Sequence, residues 1–413
     1  MLGGSPFRIM RMPRRHKLGS GGSKLAALDA PRVPSIEKRV AFWIGSLNPT
    51  GITTSIVRVA EALAKQGVSV DLVLSKRSGP CVVSDSVRVV DLDCKHPRLG
   101  QSLPRVMKYL LRERPSNMCV PYGPGSIVAA FARFSGIGTH VWIAIRSTKQ
   151  YRELARDIED QKKSALRKAW SKLVRVTYRL SDRLLITTAH GLIANSQAAA
   201  VEIAADHRIS KDRIHVIYNA CVTDKIDEQE YIWDDRQQEP HRPPMIVTVG
   251  RMSAVKDHDC LIRAFAILRK QRSARLIIVG DGPLRPSLQD LIAGLGLANE
   301  VAVAGFHLQP FAYIGRADLF VLSSTTEPFG NAVVEAMARG WPVVSTDCVG
   351  PREILEGGRY GRLVPVRDHA ALARAMEDVL DNPHDPDILR ARALEFHADR
   401  VASQYCKAFG VMH

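Results

Sequence analysis

From residue 245 to residue 380 short apolar runs alternate with amphipathic stretches, and this alternation limits the folds open to the chain more than any other feature. The runs are Met245–Val249, Leu276–Val279, Val301–Ala304, Leu319–Leu322, Val343–Ser345 and Leu363–Val366. Between them lie the helical patterns Asp257–Lys270, Leu284–Leu295, Gly330–Arg339 and His369–Leu380. Strands that are apolar on both faces and separated by helices predict a parallel sheet wrapped by helices. The first half begins the same way, with strands expected at Arg39–Ile44 and Val68–Leu74 around a helix at Thr54–Gln66. Further strands are expected near Val87–Leu92, Met118–Pro121, His140–Ile145, Gly191–Asn195 and Ile214–Tyr218.

A chain of 413 residues exceeds one ordinary core, so two domains are expected. Asp224–Pro244 holds seven Asp+Glu and three prolines with few apolar residues, which places the hinge there. The expected organisation is therefore a basic disordered tail over 1–37 and a Rossmann-like domain over 38–222. An acidic linker over 223–244 follows, then a second Rossmann-like domain over 245–390. A final helix over 391–413 should cross back to the first domain.

Charge divides the chain unevenly. Residues 1–200 carry 33 Lys+Arg against 13 Asp+Glu, whereas residues 201–413 carry 25 against 29. A cationic first half suits a partner bearing phosphates, although a basic proteome would give the same balance. No zinc-finger, RNP or helix-turn-helix signature is present, so nucleic acid is not expected. Within Tyr151–Arg183 ten Lys+Arg accompany apolar residues at roughly helical intervals, Trp170 among them. Such a helix can lie on an anionic membrane surface, or pack on its own sheet with a solvated basic face. No apolar run spans a bilayer or makes a signal peptide, and seven scattered cysteines form no CxxC pair. A cytoplasmic protein, peripheral on the inner face of the cell membrane, is the expectation.

The densest chemistry lies in Ser323–Gly340. Pro328 disfavours helix at Glu327, which should sit in the loop at a strand's carboxyl end, where open α/β sheets bind ligands. Amides of Gly330, Asn331 and Ala332 would open the following helix and can meet a phosphate or a sugar hydroxyl. Val249–Asp257 sets Arg251 and Lys256 in the loop after the domain's first strand, on the same edge. Two preorganised cations can answer the charge that builds on a departing diphosphate without a metal. Gly280–Asp281–Gly282 and Gly305–Phe306–His307 add two more loops to that rim.

Together these residues closely resemble the family 4 retaining glycosyltransferases of the GT-B fold. The likeness is carried by the Gly-Arg-Met…Lys-Asp loop, Gly280–Asp281–Gly282, the pair Glu327 and Glu335, and Gly350–Pro351–Arg352–Glu353–Ile354–Leu355. It is dense over 191–380 and looser before that. The resemblance implies two Rossmann-like parallel-sheet domains facing across a cleft. It implies a sugar moved from a nucleotide-diphosphate sugar to a glycan or lipid-linked glycan, with no cofactor and no metal. Arg251, Lys256 and Glu327 would be catalytic. Gly51, Gly282, Phe329, Gly330, Asn331, Ala332 and Glu335 would bind the donor, Glu335 through the ribose hydroxyls and Glu327 through the sugar. Many relatives place a histidine after the strand that here ends at Ile145; this chain has Arg146, an acceptor-phosphate candidate. A sugar-nucleotide epimerase of the same fold and a catalytically inactive scaffold are the alternatives.

Overall fold

The computed structural model describes residues 38–96, 99–148, 183–224 and 242–411. The tail, most of the acidic linker and nearly all of the basic stretch 151–183 lie outside the described residues.

The first sheet is built from β1 (Val40–Ile44), β2 (Val70–Leu74), β3 (Arg88–Asp91), β4 (Asn117–Pro121), β5 (His140–Ile145), β6 (Gly191–Ala194) and β7 (Ile214–Val216). Helices α1 (Gly51–Lys65), α2 (Leu99–Glu113), α3 (Pro124–Ser135) and α4 (Gln197–His207) connect them. The second sheet holds β8 (Met245–Val249), β9 (Arg275–Val279), β10 (Val301–Gly305), β11 (Leu319–Leu322), β12 (Val343–Thr346) and β13 (Arg362–Val364). Its helices are α5 (His258–Arg269), α6 (Arg285–Gly294), α7 (Pro310–Ile314), α8 (Asn331–Met337), α9 (Val349–Ile354) and α10 (His369–Asp381), with α11 (Pro386–Ala393) and α12 (Ala398–Phe409) closing the chain.

Both sheets are parallel throughout, in the orders β3-β2-β1-β4-β5-β6-β7 and β10-β9-β8-β11-β12-β13. Side chains alternate along each strand, so each sheet feeds two apolar layers. Val40, Phe42 and Ile44 enter one layer and Ala41 and Trp43 the other. Ile246 and Val247 divide in the same way in the second sheet. The strand order reverses between β1 and β4 and again between β8 and β11. At such switch points the connections run to opposite sides and leave a crevice at the carboxyl edge.

Most expected strands agree with the observed ones to within one or two residues. Helices α2, α3 and α4 were not expected. The final segment differs from its expected single helix over 391–413. His397 takes extended backbone (φ −67, ψ 141) and caps α12 by accepting from the Asp399 amide, which separates α12 from α11. Carbonyls and amides freed by the break pair with the chain beside them: Cys221 N donates to Phe396 O, and Ala398 N to Val222 O. Leu389, Ala393 and Phe396 join the second sheet's core, whereas Val401, Tyr405 and Phe409 join the first's. The crossing therefore falls at 394–398. Among the described residues no helix is long and apolar enough to cross a membrane.

Candidate active site

The switch point of the second sheet gathers most of the residues singled out above. After β8 the chain runs through Gly250 and Arg251 into a single 3-10 turn, Ala254–Lys256, and Asp257 takes a left-handed conformation before α5. After β11 it runs through Ser323–Gly330 into α8. The loops are stitched together: Thr325 N donates to Val255 O at 2.9 Å and Ser323 Oγ to Lys256 O at 2.8 Å. Gly350 fixes the other side. A Cβ there would stand 2.1 Å from Phe329 O, and Gly350 N donates to Glu327 O at 3.0 Å. Only a glycine lets α9 lie this close against the loop that carries Glu327.

The central contact of the site is an ion pair between Lys256 and Glu327, both largely sheltered from solvent. Their shared edge was legible in the sequence; their direct pairing was not. Arg251 is exposed and has no ion-pair partner among the described residues. Gly282 lies against Met252, where a Cβ would come within 2.3 Å of the carbonyl, and Met252 N donates to Asp281 O. The Phe329 side chain belongs to the core, tilted against Tyr218 and edge-on to Phe396.

Beneath this loop the polar groups are buried and neutral. Burial pushes the Cys348 thiol up to about 11, and its sulfur sits 3.0 Å from Ser324 O. Burial, with Lys256 adding to it, holds His258 down to about 4, so its ring is neutral. His258 Nδ1 has no hydrogen-bond partner and lines a cavity of about 300 Å³ with Asp257, Asp259, Leu284 and Arg367.

Facing this edge is the carboxyl edge of the first sheet, and polar contacts join the two. Glu335 on α8 accepts from Arg58 Nη1 at 2.9 Å, and Arg58 also donates to Cys221 O at 2.7 Å. Asn331 Nδ2 donates to Gly51 O, and Asn219 Nδ2 to Asn331 Oδ1, each at 2.9 Å. Glu353 on α9 accepts the Gln197 amide on both oxygens (2.8 and 3.0 Å) and the Tyr218 hydroxyl at 2.8 Å. Arg58 carries no local signal in the sequence. Its signal, legible only after α1 is placed, is its position seven residues from Gly51 on one helix face.

Arg146, the acceptor-phosphate candidate, spends both terminal nitrogens internally, on Asn219 Oδ1 and on the Tyr405 hydroxyl, each at 2.7 Å. Burial pushes the Tyr405 phenol up to about 12, so it receives that bond as a neutral hydroxyl. His140 and His190 stack with ring centres 4.0 Å apart at the opposite edge of the sheet.

Two family models match the chain: Glycosyl transferase 4-like domain over residues 50–220 and Glycosyl transferases group 1 over residues 231–396. Among curated proteins, an N-acetylgalactosamine-N,N'-diacetylbacillosaminyl-diphospho-undecaprenol 4-alpha-N-acetylgalactosaminyltransferase from Campylobacter jejuni is 28% identical over 200 residues, 48% of this chain and 53% of its own length. The alpha-D-kanosaminyltransferase of Streptomyces kanamyceticus is 35% identical over 180 residues, 43% of this chain and 44% of its own length. The chain spans about half the length of the curated relatives it matches. Among solved structures, Anabaena HepE in complex with UDP superposes with a TM-score of 0.67 at 18% identity, covering 91% of this chain and 100% of that one.

Proposed function

We propose that this chain, which belongs to the family 4 glycosyltransferases of the GT-B fold, moves a sugar from a nucleotide-diphosphate donor to a glycan or lipid-linked glycan with retention at the anomeric carbon. The observation that carries the proposal is the Lys256–Glu327 pair at the switch point of the second sheet, with Arg251 exposed on the same loop as Lys256.

A nucleotide diphosphate laid along that edge presents its phosphates to Arg251 and Lys256. The Lys256–Glu327 pair then has to share its lysine with a phosphate, which turns the carboxylate towards the hydroxyls of the transferred sugar. As the acceptor hydroxyl oxygen bonds to the anomeric carbon on the face the diphosphate leaves, the bond from that carbon to the diphosphate oxygen breaks, negative charge builds on the diphosphate, and the hydroxyl proton passes to the departing oxygen. Two cations held in place beforehand stabilise that charge more in the transition state than in the bound donor. Glu335, on the same side of α8, takes the ribose hydroxyls. We assign the neutralising charge to these two side chains, so turnover should survive a chelator.

The acceptor class has a separate support. The Campylobacter relative is named for a diphospho-undecaprenol acceptor, and the cationic first half of this chain suits an acceptor diphosphate at a membrane surface. Residues 151–182, whose basic pattern would make that surface contact, lie outside the described residues. The test is a screen of nucleotide sugars for thermal stabilisation, then mass analysis of products with mixed acceptors and proton NMR of the new linkage. Transfer with the same anomeric configuration as the donor is the expected outcome. Stabilisation by no nucleotide sugar, or a product of inverted configuration, would overturn the proposal.

A further inference from the structure

Helices α1 and α8 come from opposite sheets and meet along one polar seam. Gly51 and Arg58 lie two turns apart on one face of α1, and Asn331 and Glu335 lie one turn apart on one face of α8. Gly51 O receives Asn331 Nδ2, and Arg58 Nη1 reaches Glu335 Oε1, both at 2.9 Å. The guanidinium is held on the other side by two carbonyls, Cys221 O at 2.7 Å and Ala220 O at 3.4 Å. Arg58 is thus fixed by α1, by the chain entering the linker and by α8. Burial acts to lower the Arg58 pKa, but the Glu335 carboxylate, with Cys221 and Glu61 adding to it, raises it on balance and keeps the guanidinium charged.

We infer that Arg58 is a positioning residue for donor recognition: it holds one oxygen of Glu335, aims the other at the ribose, and so lets the first sheet take part in reading the nucleotide. The inference rests on the assignment of Glu335 to the ribose. Two effects work together. With Oε1 engaged, the carboxylate has one orientation, and no described residue donates to Oε2. The pair is also close to neutral, so a carboxylate can stand near a donor diphosphate and accept hydroxyl hydrogens without repelling the phosphates. A lone Glu335 would repel the phosphates and rotate freely. Because Arg58 comes from the first sheet, ribose recognition is available only when the two sheets are joined along this seam, which couples donor binding to the arrangement of the cleft.

The experiment compares a ribonucleotide with its 2′-deoxy counterpart on the full chain, because a purely structural role would not alter their ratio. The probe is whichever of UDP, GDP and ADP binds best by calorimetry, with its 2′-deoxy form. Wild type should favour the ribose form by roughly tenfold or more, the range expected for a hydrogen bond to a charged group. Glu335→Gln should bring that ratio close to one. Arg58→Met should do nearly the same, and the double variant should add nothing further. Arg58→Gln, which can still donate to the Cys221 carbonyl but carries no charge, carries the same measurement if Arg58→Met gives no cooperative melt. A full ratio in a folded Arg58 variant, with the ratio lost in Glu335→Gln, overturns the inference and leaves the ribose assignment standing. A full ratio in Glu335→Gln, or none in wild type, overturns the ribose assignment and the inference with it.

Discussion

At the carboxyl edge of the second sheet, Arg251 stands exposed and Lys256 and Glu327 are paired with each other. At the matching edge of the first sheet, Arg146 is tied to Asn219 and Tyr405, and Asn219 reaches on to Asn331. The two edges share strand order, switch point and loop placement. They differ in what their polar groups already hold. A cation paired with one carboxylate can exchange partners with a phosphate. An arginine held between a buried phenol and an amide can leave them only by opening the structure around it. On the proposed reading the second edge serves the chemistry, while the first helps hold the two sheets together.

Removing charge from each edge is the sharpest way to break that contrast, and the second should show the larger effect. Lys256→Ala should lower turnover by roughly 10²–10³-fold, equivalent to about 3–4 kcal/mol, because its charge meets more negative charge in the transition state than in the bound donor. Arg251→Ala should behave alike. Lys256→Ala also leaves Glu327 unpaired, so Lys256→Ala combined with Glu327→Gln should cost less than the sum of the two. Wild-type turnover in both single variants, with a verified donor, would move the diphosphate elsewhere on the cleft.

Next in size is a pH effect confined to the second region. Folded His258 titrates near 4 because of burial, with Lys256 adding to it, whereas an unfolded histidine titrates near 6.5. Between those values the unfolded chain binds the proton and the folded one does not. The stabilisation is complete above about pH 6.5 and is lost as pH falls towards 4, about 3 kcal/mol in all. Urea midpoints from pH 7 to pH 4 should fall less steeply for His258→Asn than for wild type. Parallel curves would mean that the ring gains its proton inside the fold, for instance by taking a carboxylate of the adjoining cavity as partner.

Arg146→Met probes the first edge by the opposite signature. Loss of its bonds to Asn219 and Tyr405 should lower stability by about 2–3 kcal/mol, read from the urea midpoint, with donor KM little changed. Unchanged stability with a raised acceptor KM would return Arg146 to the acceptor role that its sequence position suggested.

The same contrast governs how much could be read beforehand. The second sheet's strands are apolar on both faces, and its loops carry glycines and ions at fixed offsets from strand ends, so fold and edge were both legible there. Pro328 set Glu327 in a loop, and the loop is where it lies. Partnerships were not legible, because they depend on how two loops or two sheets approach each other. The Lys256–Glu327 pair spans 71 residues and Arg58–Glu335 spans 277. Arg58 also sits inside an ordinary amphipathic helix, where a lone arginine carries no local signal. The break between α11 and α12 has no local signal for a related reason. Residues 394–397 keep a helical apolar rhythm, and it is pairing with Val222, far away in sequence, that draws His397 into extended backbone.

The smallest expected effect tests whether the contact at α9 belongs with the holding role or with the chemistry. Glu353 stands in the last turn of its own helix, where the negative end of the helix dipole disfavours a carboxylate. Across the boundary it accepts the first amide of α4, Gln197 N, on both oxygens, together with the Tyr218 hydroxyl. Ser196 already caps α4 by accepting from Ala199 N, so Glu353 satisfies a different amide of the same helix start. A charged acceptor at a helix N-terminus contributes about 0.3–1 kcal/mol through the dipole, and its hydrogen bonds add to this. Glu353→Gln keeps the shape and one acceptor oxygen but removes the charge. It should cost about 1 kcal/mol, and the loss should shrink as salt rises, because a half-buried charge on a helix dipole is partly screened. Turnover should change by less than a factor of about two, since that corresponds to less than about 0.5 kcal/mol in the barrier. A fall in turnover approaching that of Lys256→Ala, at unchanged stability, would place Glu353 with the reacting groups.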